Sequence, residues 1–184
     1  MLLVLTILSL APSILIMMTS FTRIIIVLHF LRTAIGTQTT PPNQVLIGLA
    51  LFLTFFIMWP TFQQINKEAI QPLDKGEITQ SEFFEKAEEP IREFMIKDAK
   101  IQIRDVNLFA EISGETYKDT KELSDVPFTT LVPAFILSEL RKAFIMGFLI
   151  YIPFIVIDMV VSSVLMSMGM MMLPPTTISL PFKI

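Results

Sequence analysis

The sequence predicts an all-α, membrane-associated fold, with kinked helical segments around a small helical insert that lies outside the cytoplasm. Three observations carry this. Hydrophobic residues make up 53% of the 184, including 16 Phe, and mean hydropathy is +0.66, too apolar for an ordinary soluble domain. Charge is segregated: of 14 basic and 17 acidic residues, 24 lie within residues 61–127. The apolar stretches on either side are short or broken by Pro12, Pro153 and single charges. The chain therefore divides into 1–60, N-terminal helices with an interhelical segment; 61–127, an acidic water-facing insert; and 128–184, a C-terminal helical hairpin.

Residues 2–18 are apolar but lack a basic n-region and a small-residue cleavage pattern before Thr19, so they are read as a retained helix rather than a signal peptide. A second apolar segment, 24–35, carries His29 and Arg32 inside it. A span needs roughly 20 apolar residues, and a charge at its centre costs about 2.5 to 3.5 kcal/mol. Arg23, His29 and Arg32 therefore belong to an interhelical or cytoplasmic-side segment, with Arg23 and Arg32 expected as buried charges. Residues 36–43 (GTQTTPPN) are dense in turn formers, and 44–62 form the next apolar helix. By the positive-inside rule, Arg23 and Arg32 put 19–43 on the cytoplasmic side and the insert on the periplasmic side.

The insert holds 15 acidic against nine basic residues, net −6, which leaves the apolar remainder at +3. It has no basic patch for nucleic acid. Thr79 followed by Glu82 has the spacing of a capping box, and Phe83, Phe84, Ala87, Ile91, Phe94 and Met95 follow at helical spacing. Pro90 is expected to open a second helix after a turn at Glu88 and Glu89. Val106, Phe109 and Ile112 predict a third helix after Asp105, ended by Gly114. Residues 114–125 read as a solvated loop.

From Pro127 the chain is apolar again, interrupted by Ser138, Glu139, Arg141 and Lys142. An apolar run of 31 residues over 143–173 would make a helix of about 46 Å against a core of about 30 Å, so Pro153 should kink it or a hairpin should fold it. The run ends in Met168, Gly169, Met170, Met171 and Met172, ahead of Pro174 and Pro175. Methionine thioethers are flexible and re-pack around different shapes. Beside a glycine and a double proline, they suggest a soft seal on an irregular loop rather than core filler. TISLPF (177–182) reads as a turn.

Asp158, within IVIDMVV, is a buried charge that must face a helix, water or a subunit interface. It fits a proton relay or pore-lining charge, or a hydrogen-bonded structural carboxylate. Glu139 and Lys183 are candidates for pairing with opposite charges on a neighbouring chain; the alternative is an exposed helix end with Arg141 and Lys142 solvated. His29 has no partner at metal-ligand spacing. Zero cysteines exclude disulfides and thiol chemistry. No phosphate loop, dinucleotide fingerprint, zinc-protease motif or catalytic triad is present. No cofactor or metal is called for, and no catalysis is expected. Three rivals stand beside a sealed conduit: a proton-coupled or small-solute carrier using Asp158, an intramembrane enzyme, and a scaffold built around the insert.

Three stretches carry a resemblance: MMTSFTRIIIVLHFLRTAIGTQTTPPNQVLIGLALFLTFFIMWP (17–60), PAFILSELRKAFIMGF (133–148) and PFIVIDMVVSSVLMSMGMMMLPPTTISLPFK (153–183). In order and spacing they resemble the FliP family, pore subunits of the flagellar type III export gate, which is related to the injectisome export apparatus. Ile145 departs from the polar or charged residue usual in relatives. Family members normally have a leader before Met1 and a closing helix after Ile184, so the sequence is expected to be part of a longer chain.

The resemblance implies helical hairpins packed in an oligomer in the bacterial inner membrane, at the flagellar basal body. It implies five copies of the chain, FliQ-like and FliR-like subunits, FlhA-like and FlhB-like export components, and unfolded flagellar proteins as cargo. It makes Met168, Gly169, Met170, Met171 and Met172 a gasket across the pore, and Glu139 with Lys183 an inter-subunit salt bridge.

Overall fold

The computed structural model describes residues 13, 16–37, 39–114, 117, 120–170 and 173–184. Among them every regular element is helical. Of the helix expected over 2–18, residues 2–12, 14 and 15 lie outside the described residues.

Helix α1 (Phe21–Ile35) contains a β-branched run, Ile24 to Val27, that is a poor helix former on its own. Packing decides it, because α1 lies against the long C-terminal helix. Gly36 closes it at φ +92, donating its N–H to the Thr33 carbonyl. Helix α2 (Asn43–Ile65) starts after Pro42, whose extended backbone feeds the first turn. It runs through Pro60 and continues as a π turn (Asn66–Ile70) and a last α turn (Gln71–Asp74). The boundary drawn at 60/61 thus falls inside a continuous helix, and the insert grows directly out of α2.

In the insert, α3 (Gln80–Glu93) begins with the expected capping box: Thr79 accepts from the Glu82 N–H, and Glu82 accepts from the Thr79 N–H at 2.7 Å. Pro90 does not open a new helix. It is buried inside α3, and the chain next widens into a π turn over Phe94–Asp98. A proline interior to a helix removes one bond, and burial of its ring and of Phe94 and Met95 offsets that loss. Helix α4 (Ile103–Ala110) ends in a short 3-10 turn that Gly114 closes at φ +76. Residues 114–125 are not wholly solvated. Leu123 is fully buried, as is Val126 just beyond, and Asn107 holds the Tyr117 backbone through two hydrogen bonds of 2.8 Å.

Helix α5 (Phe128–Ser167) is one continuous helix of 40 residues through Pro133 and Pro153, about 60 Å long. The chain folds back after Ser167 and not at Pro153. The TISLPF segment is helical, within α6 (Pro175–Lys183), with Pro175 at the first position where its missing N–H costs nothing.

One core joins the insert to the helices. Phe94, Met95, Val106, Leu123 and Val126 pack with Leu131, Ala134 and Phe135 of α5 and Met58 of α2. Phe94 and Phe135 meet edge to face at 6.2 Å. Helices α1 and α5 run parallel, since Arg23 meets Glu139 and Phe30 meets Phe144. Helices α1 with α2 and α5 with α6 form two antiparallel hairpins. The insert is at one end, and the α1–α2 and α5–α6 turns are at the other. Helices Asn43–Asp74 and Phe128–Ser167 are long and apolar enough to cross a membrane.

Candidate functional site

The turn between α5 and α6 holds the methionine cluster. The Gly169 N–H donates to the Met166 carbonyl and the Met170 N–H to the Leu165 carbonyl, both at 3.0 Å, with Gly169 at φ +78. That is the Schellman arrangement, in which a left-handed residue lets the backbone satisfy carbonyls orphaned at a helix end. Glycine is required by the angle and not by crowding, since a Cβ there would meet nothing within 4 Å. The turn presents Met168 and Met170 outward, 63% and 45% exposed. Met171 and Met172 lie outside the described residues.

Ten residues before Met168, at the base of the same hairpin, Asp158 is held by α6. Lys183 Nζ is 2.7 Å from Asp158 Oδ2, and Ser179 Oγ donates to Asp158 Oδ1 at 2.5 Å. Lys183 also donates to the Ala34 carbonyl at the end of α1, at 3.1 Å. Of the two readings open for Asp158, this geometry matches the hydrogen-bonded structural carboxylate.

Glu139 belongs to a second cluster. Arg23 grips its carboxylate with two donors, Nε at 2.6 Å to Oε2 and Nη2 to Oε1. Lys142 Nζ stands 3.6 Å from Oε1 and donates to the Ala99 and Lys100 carbonyls at 2.5 and 2.8 Å. Arg141 Nη2 is 2.7 Å from Asp105 Oδ1, and its Nη1 donates to Gln102. Arg141 and Lys142 are therefore not a solvated helix end: they fasten the insert to α5, while Arg23 fastens α1. Glu139 and Lys183 do not meet within the chain, because 19 residues of α5 separate Glu139 from Asp158, about 28 Å of helix.

Among the residues expected as buried charges, Arg23, Arg32 and Asp158 are only partly buried. Among the described residues the fully buried carboxylates are Glu139 and Asp105. Sequence reasoning missed Asp105 as a partner because it read as a helix start. The available signal was its place on the apolar face, four residues after Ile101 and next to Val106.

Arg32 fastens the α1–α2 turn, donating to Asn43 Oδ1 at 2.6 Å and to the Pro41 carbonyl at 3.3 Å, with His29 Nδ1 at 3.0 Å. Arg23 and Arg32 thus stand at opposite ends of α1, about 14 Å apart. The positive-inside rule places both on one side. Arg23 is beside the insert and neutralised by Glu139, so Arg32 alone is left to vote.

Comparison with known proteins gives a consistent result. A model of the FliP family matches residues 4–184. The chain is 61% identical over 183 residues to "Flagellar biosynthetic protein FliP" of Bacillus subtilis (strain 168), covering 100% of this chain and 81% of the relative. It is 52% identical over 180 residues to the protein of that name in Aquifex aeolicus (strain VF5), covering 98% and 74%. The Borreliella burgdorferi protein is 50% identical over 184 residues, covering 100% and 72%.

Proposed function

The chain belongs to the FliP family of flagellar export components, and on that premise we propose that it is a pore-forming subunit of the flagellar type III export gate. It conducts unfolded flagellar proteins across the bacterial inner membrane, in a ring of five copies with FliQ-like and FliR-like subunits. FlhA-like and FlhB-like components engage the same assembly. The insert faces the periplasm, and the turn of the α5–α6 hairpin seals the closed pore. No catalytic step is assigned to this chain.

The observation that carries the reading is the Schellman turn that presents Met168 and Met170 to the outside at the tip of an apolar hairpin. Repeated around a ring, such thioethers line a constriction that water leaves, which bars ions without a fixed charge. Each side chain has three rotatable bonds and swings aside at modest cost when a polypeptide enters. The barrier is hydrophobic, and the driving force comes from other export components. The expected inter-subunit bridge between Glu139 and Lys183 is not part of this reading, since Glu139 is buried against Arg23 and Lys183 against Asp158 within the chain.

The test is passive small-ion leak in cells expressing the chain with its partners. Changing Met168, Met170, Met171 and Met172 together to alanine should open a leak that wild type lacks. Equal tightness in both, with assembly verified, removes the sealing role.

A further inference from the structure

We infer that Asp158, Ser179 and Lys183 are positioning residues that lock α6, and with it the methionine turn, against α5 and the end of α1. The inference rests on the sealing role proposed above for that turn.

Helix α6 has nine residues and carries prolines at 175 and 181, too short and too poor in helix formers to hold a place on its own. Its placement must come from contacts with α5 and α1. The apolar part of those contacts is partly open, with Phe182 exposed beside Val156 and Val160. The polar part is closed. Lys183 is 2% exposed in its side chain, so its ammonium must find its partners inside the protein. It has Asp158 Oδ2 at 2.7 Å and the Ala34 carbonyl at 3.1 Å.

The second carboxylate oxygen accepts from Ser179, whose side chain is fully buried. Ser179 Oγ also lies 3.2 Å from the Thr176 carbonyl, but its single proton goes to the charged, shorter acceptor. The Ala34 carbonyl lies in the last turn of α1, where carbonyls lack helical partners and a cation is favoured. Three helices therefore share one ion pair. The methionine turn is anchored on its α5 side by the Schellman hydrogen bonds and on its α6 side by this lock. A shift of the α1 end relative to α5 pulls on the same lysine.

The experiment follows two readouts in the assembled complex: amide hydrogen exchange over residues 168–184, and passive ion leak. Lys183→Met and Asp158→Asn each leave a group without its partner. Both should raise exchange across α6 and the turn by roughly tenfold or more and open a leak. Ser179→Ala removes one hydrogen bond and keeps both charges, so its effect should be smaller and in the same direction. The double variant Asp158→Asn with Lys183→Met leaves no unpaired charge and should leak less than Lys183→Met alone.

Unchanged exchange in both Ser179→Ala and Lys183→Met overturns the lock. Raised exchange without leak, in a background where the four-methionine variant does leak, overturns the positioning role. Raised exchange while the four-methionine variant stays tight upholds the lock and removes the sealing role, so the two failures are told apart.

Discussion

From Leu131 to Ala143, α5 is enclosed by the insert and by α1, whereas from Phe148 to Met166 most of its large apolar side chains face outward. Leu131, Ala134, Phe135, Ser138, Glu139 and Ala143 are buried; Phe148, Met159, Val160 and Val164 are more than half exposed. Both halves are strongly apolar, so hydropathy does not separate them. Apolarity says that a side chain leaves water, not whether protein or lipid replaces it. The halves differ in their charges. Glu139, Arg141 and Lys142 each need a fixed partner, and the elements that supply those partners also cover the helix.

The sharpest way to break this contrast is to truncate one phenylalanine in each half. Phe135→Ala empties a fully enclosed site and should cost about 3–5 kcal/mol, read as a lowered midpoint of unfolding in detergent micelles. Phe148, 61% exposed, should change the isolated chain by no more than about 0.5 kcal/mol on the same substitution. Comparable losses from both would mean that the outer half is packed within the chain.

Next in size is a pair of glycines. A Cβ on Gly147 would stand 3.0 Å from Phe30 Cβ and closer still to its ring, while one on Gly48 would meet nothing within 4 Å. Gly147→Val should push α1 off α5 and cost about 1–3 kcal/mol. Gly48→Ala should stabilise α2 by up to about 1 kcal/mol through helix propensity. The same unfolding measurement reads both, and a mild Gly147→Val would show that the α1–α5 contact yields easily.

The smallest effect lies in the solvated part. Glu82 is held below the usual carboxylate range, first by the Thr79 N–H and then by the Thr79 hydroxyl. A lowered folded value means that the contribution is present above the unfolded carboxylate range and lost as pH falls through the folded value. Backbone chemical shifts should therefore show the first turn of α3 fraying on acidification while α5 is unchanged. Thr79→Ala keeps the backbone N–H and should only weaken that pH response, whereas Glu82→Gln should abolish it.

Much was legible from residue pattern alone. The capping box, the Gly36 and Gly114 stops and the irregular backbone at Gly169 are local features, set by side chains and dihedrals within a few residues. Errors came where a local rule met a distant partner. Pro90 and Pro153 are breakers by local rule, yet both sit inside continuous helices, Pro90 buried by its neighbours and Pro153 exposed. TISLPF is a poor helix in isolation and forms one against α5. Leu123 belongs to a polar stretch and is buried by the core that α3, α4 and α5 build.

The sequence by itself determined the all-helical class, the segregation of charge into one insert, the family and the methionine-rich turn, because composition and short-range pattern suffice for each. The tertiary structure decided which charges pair: Glu139 with Arg23, Asp158 with Lys183, and Asp105 with Arg141. A buried charge takes whichever partner the fold brings within about 3 Å. That distance depends on which helices lie side by side, and no spacing along the chain specifies it.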